Sequence, residues 1–175
     1  MRLAIYNFGM FRERSAHSSN QGFHDREAAN FAAVERAPGF LGRAGYDDEP
    51  ERESWGTRVY PRFYVERGDF SSPSTLSLWA DLESLMAFTY SGLHVEALRR
   101  ASEWFVSKTW PPYVLWWVGK EHRPDWYEGV ARLERLYDHG PGPAAFNFKA
   151  PFDAQGRPAV IDREVVKRLA VPQTP

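Results

Sequence analysis

Hydrophobic and polar positions change period several times along this chain, and each change marks an element. Leu3 to Phe8 alternates, with Leu3, Ile5 and Asn7 on one face and Ala4, Tyr6 and Phe8 on the other, which predicts a strand. Gly9 to Gly22 is polar and aperiodic and predicts a loop. Asp25 then stands as an N-cap before a stripe of Ala28, Phe31 and Ala32, and the predicted helix runs to Ala37, where Pro38-Gly39 stops it. Phe40 to Tyr46 predicts a second strand, weakened by its glycines. Asp47 to Glu53 is acidic and loop-like. Thr57 to Val65 has strand-like residues, but Pro61 confines it to an edge or an excursion.

The second half repeats the scheme. Thr75 to Trp79 predicts a strand, and Asp81 caps the longest helical pattern in the chain. Leu82, Leu85, Met86, Thr89, Leu93, Ala97, Ala101 and Trp104 follow the three-four spacing of one helix face, with Ser91-Gly92 placed to kink or split it. Tyr113 to Val118 is apolar at every position and predicts a central strand covered on both faces. Asp125 with Glu128 three residues on resembles a capping box. It opens a helix whose stripe is Trp126, Val130, Leu133 and Tyr137, closed by Gly140 and Pro141. Gly142 to Pro175 is a proline-rich arm with one short helix from Asp162 to Leu169.

Two βαβ halves in this order predict an α+β fold of the ferredoxin-like kind, βαββαβ, with four antiparallel strands and two helices on one face. The 175 residues suffice for one domain. Residues 1–124 form its core with an insertion at 47–72, and residues 125–175 add a helix and the arm. Helices on one side only would leave the other sheet face bare. Aromatic residues make up 15% of the chain, including seven Trp, eight Tyr and twelve Phe. A bare aromatic sheet face predicts a face-to-face homodimer.

Composition narrows the chemistry mainly by exclusion. A formal charge of −1 offers no electrostatic reason to expect nucleic acid or an anionic membrane as partner. Without cysteine there is no disulfide, thiolate metal site or cysteine nucleophile. No apolar run approaches the roughly 20 residues of a membrane span, and Asn7 interrupts the N-terminus too early for a signal peptide, so the expected location is cytoplasmic.

Several short motifs, in order, carry a resemblance. They are Ala37-Pro38-Gly39-Phe40, Leu76-Ser77-Leu78-Trp79, Tyr90-Ser91-Gly92-Leu93-His94, Glu103-Trp104-Phe105, Leu115-Trp116-Trp117-Val118, His122-Arg123-Pro124, and His139-Gly140-Pro141 through Ala145-Phe146-Asn147-Phe148. Over roughly Leu3 to Phe152 the chain resembles the bacterial domain-of-unknown-function 3291 family, placed with the antibiotic-biosynthesis monooxygenases in the dimeric α/β-barrel superfamily. The resemblance implies a ferredoxin-like protomer, a dimer whose sheets face one another, and a pocket between sheet and helices. It implies no reaction. The sequence departs from the family pattern at Gly42, at Thr75 and in the longer connection from Asp47 to Ser72, which is placed to act as a lid.

No phosphate loop, dinucleotide fingerprint, GxSxG elbow or HExxH motif is present, so no nucleotide cofactor is expected. The five histidines are His17, His24, His94, His122 and His139. None pairs with another at i+3 or i+4, which argues against a metal site. His94, four residues after Tyr90 and beside the apolar stripe, is the candidate acid/base, with Tyr90 on the same helix edge. Asn7 is the candidate for orienting a substrate oxygen. Trp79, Trp104, Trp116, Trp117 and His122 are the candidate substrate-binding groups, Trp116 and Trp117 necessarily pointing to opposite faces. The expected function is that of a cofactor-independent tailoring enzyme. It would be an oxygenase, cyclase or isomerase acting on an apolar, aromatic or polyketide-like natural-product intermediate. The rival readings are a small-molecule-binding dimer without catalysis and a haem-dependent enzyme using one axial histidine.

Overall fold

Alternation in the first eight residues does what its period requires: Arg2–Phe8 is strand β1. The computed structural model describes residues 1–46 and 49–170, so Asp47 and Asp48 of the acidic stretch and residues 171–175 of the arm lie outside it. A 3-10 turn at Ser18–Asn20 leads into α1 (Gln21–Glu35), followed by β2 (Phe40–Arg43), β3 (Ser74–Trp79), α2 (Leu82–Thr89), α3 (Gly92–Trp104), β4 (Tyr113–Val118), α4 (Trp126–His139) and α5 (Arg163–Leu169). The four strands form one antiparallel sheet in the order β2-β3-β1-β4, so the fold is α+β.

Some boundaries differ from the sequence reading, each for a local reason. Asp25 lies inside α1, because the chain enters that helix through the 3-10 turn whose first donor is capped by the His17 side chain. Thr57 to Val65 takes the second of the two forms Pro61 allows, an excursion with no strand in it. The long stripe breaks where expected: α2 stops at Thr89, and Gly92, with φ of 54°, starts α3. In α4 the buried stripe is Trp126, Gly129, Leu133 and Leu136, while Tyr137 is exposed. Strand β4 is covered on both faces, yet it sits at the end of the strand order, and β1 holds the centre. The arm compensates for the open edge of β4, since Leu115 and Phe146 exchange backbone hydrogen bonds of 2.8 and 2.9 Å.

Register sorts the side chains into two layers. Leu3, Ile5, Trp79 and Leu115 face α2 and the arm, where Leu85, Met86, Phe146 and Phe148 meet them. Ala4, Tyr6, Phe8, Leu76, Leu78, Val114 and Trp116 face the other way, and all are buried. That second face is where the expectation of a bare sheet fails. Helix α4 covers part of it, and the connection between β2 and β3 covers the rest with Trp55, Val59, Tyr60, Phe63 and Tyr64. Phe63 stacks on Trp110 at 5.5 Å and meets Tyr137 of α4 at 4.8 Å. The aromatic surplus is therefore spent inside the chain, and a sheet-to-sheet dimer would have to displace α4 and this connection first. Among the described residues no helix is long and apolar enough to cross a membrane.

Two consequences can be measured. A Cβ added at Gly129 would stand 2.9–3.0 Å from the Cγ, Cβ and Cδ2 atoms of Tyr6, because α4 lies directly on β1 there. Gly129→Ala should therefore lower stability by about 1–3 kcal/mol in urea unfolding, although alanine is the better helix former by about 1 kcal/mol. Trp55 is only 8% exposed, so Trp55→Ala should cost about 3–5 kcal/mol by the same measurement. A lid resting on an independently closed core would show almost no loss.

Candidate functional site

The sequence candidates do not converge. His94 sits in the first turn of α3, with Nδ1 3.0 Å from the Thr89 carbonyl and its ring 5.0 Å from that of Phe88. Burial pushes its pKa down, with the Thr89 hydrogen bond opposing. It lines neither of the two grooves described below, and it bridges the break between α2 and α3. Tyr90 belongs to that break and not to the helix of His94, so the two do not share a helix edge. Tyr90 is exposed and faces Phe148. Asn7, at the far end of β1, uses its Oδ1 to accept from the Thr75 backbone N–H at 3.0 Å.

The tryptophans divide similarly. Trp79 packs between Phe40 and Phe88 and donates Nε1–H to the Ser77 hydroxyl at 3.1 Å. Trp104 is buried at the α1–α3 contact against Phe23. Trp116 and Trp117 point to opposite faces, Trp116 towards α4 and Trp117 towards the arm, where it donates to the Phe152 carbonyl at 2.7 Å.

Three of the candidates do meet, at the end of β4. An open groove of about 580 Å³ runs between Trp117, Val118 and Gly119 on one side and the first turns of α4 on the other, with His122 at its rim. Its centre is Glu128. The Glu128 Oε1 accepts from Trp116 Nε1 at 2.9 Å and from Arg132 Nη2 at 3.0 Å, while Oε2 is 2.6 Å from His122 Nε2. A carboxylate only accepts, so His122 donates from Nε2, and its Nδ1 makes no hydrogen bond among the described residues. Burial would raise the Glu128 pKa, but the hydrogen bonds from His122 and Arg132 outweigh it and hold the group below the ordinary value. Arg135 lines the same groove and makes no hydrogen bond or ion pair among the described residues.

The local sequence builds this arrangement in two steps. Asp125 accepts the Glu128 backbone N–H at 2.7 Å, which starts α4 and fixes the direction of its first turn. Glu128 was expected to complete a capping box, but its side chain turns to Trp116 and His122 instead. Sequence reasoning missed Glu128, Arg132 and Arg135 as site residues. The available signal was their spacing at i, i+4 and i+7, which lines one helix edge beside the buried stripe. A second groove of about 240 Å³, between Arg12 and the end of α3, holds Phe105 and Lys108 but none of the predicted residues. No group of three potential His, Asp or Glu metal ligands occurs among the described residues.

The depressed Glu128 pKa carries a stability signature. A carboxyl whose folded pKa is lowered stabilises above the unfolded value and loses that contribution as pH falls through the folded value. Wild type should therefore be more stable than Glu128→Gln at neutral pH. The gap should narrow as pH drops below the ordinary glutamate value of 4.5, read from paired thermal melts across pH.

No curated protein and no solved structure matches the chain. The family model described as domain of unknown function (DUF3291) matches residues 2–162, which takes in the whole sheet, the Glu128 groove and the arm up to the cap of α5. With that match spanning most of its length, the chain belongs to the DUF3291 family.

Proposed function

We propose that the chain is a small-molecule enzyme working by proton transfer in the groove beside Trp117, with His122 as the acid/base. The observation that carries this reading is the His122–Glu128 pair. The Glu128 carboxylate is fixed from behind by Trp116 and Arg132, so it orients the imidazole and would stabilise the imidazolium formed when Nδ1 takes a proton. Arg135 supplies an unengaged cation on the same wall. A substrate with an activated C–H and an acidic group fits such walls better than the wholly apolar one expected from composition. Isomerisation or cyclisation of a keto acid is the reaction class these groups serve without a bound cofactor.

The same proposal takes the protomer as ferredoxin-like. The strand order β2-β3-β1-β4 with antiparallel neighbours, and helical crossovers from β1 to β2 and from β3 to β4, support that arrangement. His94, Asn7 and Tyr90 then serve the framework, the first as the clasp across the α2–α3 break.

The test is direct. Incubation in deuterium oxide with a panel of aromatic α-keto and β-keto acids, followed by proton NMR, reads exchange at the activated carbon. Wild type should accelerate exchange for at least one member. His122→Ala should lower that rate by about 10²–10⁴ while leaving the melting temperature nearly unchanged, because the ring is largely exposed. Arg135→Gln should mainly raise KM. Exchange no faster than in buffer, or unaffected by His122→Ala, would overturn the reading.

A further inference from the structure

The sheet face under α4 and the β2–β3 connection holds a cation with no acid beside it. The Arg58 guanidinium carbon lies 4.7, 5.4 and 5.7 Å from the ring centroids of Tyr46, Tyr60 and Trp126. Its Nε and Nη2 donate to the Ser74 hydroxyl at 3.3 and 3.1 Å, and Nη2 also reaches the Ser72 carbonyl at 2.7 Å. Nη1 has no partner among the described residues, and none of their carboxylates pairs with this arginine. Ring faces and neutral oxygens account for a half-buried arginine taken alone.

They do not account for its neighbours. The Tyr6 hydroxyl and Trp126 Nε1 are both fully buried, and neither makes a close hydrogen bond, although the Ser74 hydroxyl, which accepts from Arg58, stands beside the Tyr6 phenol. Their rings meet edge to face at 6.3 Å, and the Arg58 charge is felt at the Tyr6 phenol. Burial keeps that phenol protonated, so it is a standing donor. Two orphaned buried donors each cost free energy unless something accepts from them. Tyr46 and Tyr60 offer nothing further, since their hydroxyls donate to the carbonyls of Ser74 and Phe70. Glu134, the acid felt at Tyr6, accepts the Arg62 backbone N–H at 2.7 Å.

What the corner lacks is therefore a negative acceptor with more than one oxygen. We propose that Arg58, Tyr6 and Trp126 form a binding site for the carboxylate group of a small molecule, entered beside Tyr46 and Tyr60 and separate from the Glu128 groove. Arg58, Tyr46 and Tyr60 are half-buried, which leaves the cation reachable, while Tyr6 and Trp126 close the inner side. A carboxylate offers about four lone-pair positions, enough for Nη1, the phenol and the indole together.

Benzoate is the probe, with sodium chloride at equal ionic strength as reference. Benzoate at about ten times its Kd should raise the wild-type melting temperature by roughly 3–6 °C over the chloride reference. Tyr6→Phe removes one orphaned donor and should fold at least as stably as wild type without benzoate, yet lose most of the shift. Arg58→Gln should lose all of it, and Arg135→Gln, in the other groove, should keep it. If Arg58→Gln fails to fold, Tyr6→Phe alone decides. An absent wild-type shift, or one that survives in Tyr6→Phe, would overturn the proposal. So would one abolished by Arg135→Gln, which would place the benzoate in the Glu128 groove.

Discussion

Strand β1 is hydrogen-bonded along both edges and buried on both faces, and this double enclosure is the constraint from which the remaining layers follow. A strand so placed needs two separate apolar covers. On the side of Leu3 and Ile5 the chain supplies α2 and the arm. On the side of Ala4, Tyr6 and Phe8 it supplies α4 and the long connection after β2. Burying a large side chain is worth about 1.5–3 kcal/mol, so leaving either face open would forfeit several such contributions at once. The closeness of the second cover is set at one point, where Gly129 lets α4 rest on the ring of Tyr6.

That close approach also positions chemistry. Helix α4 cannot shift along β1 without losing the Gly129 contact, so its first turn stands at a fixed place above the end of β4. Glu128 meets the indole of Trp116 there, and His122 is drawn in from the preceding loop. Adjacent tryptophans make the arrangement stiff. Trp116 is tied to Glu128 on one face and Trp117 to the Phe152 carbonyl on the other, so the strand end is gripped from both sides. The groove is thus a product of the packing that closes the core.

Charged residues hold the connection after β2 in place over its face. Buried Arg43 pairs with Glu49 at 2.5 Å and with Glu35 at 3.3 Å, its guanidinium 4.1 Å from the Phe31 centroid, which ties the start of the connection to α1. Arg123 pairs with Glu53 at 2.6 Å, and Arg62 pairs with Asp138 of α4. Exposed pairs of this kind contribute little individually. Here they fix the lateral position of a segment whose aromatic side chains provide most of the stabilisation.

Local patterning settled the elements, and long-range packing settled their use. Period-two alternation in Leu3 to Phe8, the Asp81 and Asp125 caps, the break at Ser91-Gly92 and the stop at Gly140 depend on neighbours within a few residues, so they were legible in the sequence and appear in the structure. Trp116 and Trp117 had to oppose each other for the same reason. Which strand is central, what covers the Tyr6 face, and which polar groups meet are decided by contacts between residues far apart in the chain. Leu115 with Phe146, Gly129 with Tyr6 and Trp116 with Glu128 leave no periodic trace in the sequence. The case for His94 in the sequence needs one unbroken helix to carry both it and Tyr90. The helix breaks between them, and the imidazole that meets a carboxylate in the groove is His122, brought to Glu128 by the approach of α4 to β1.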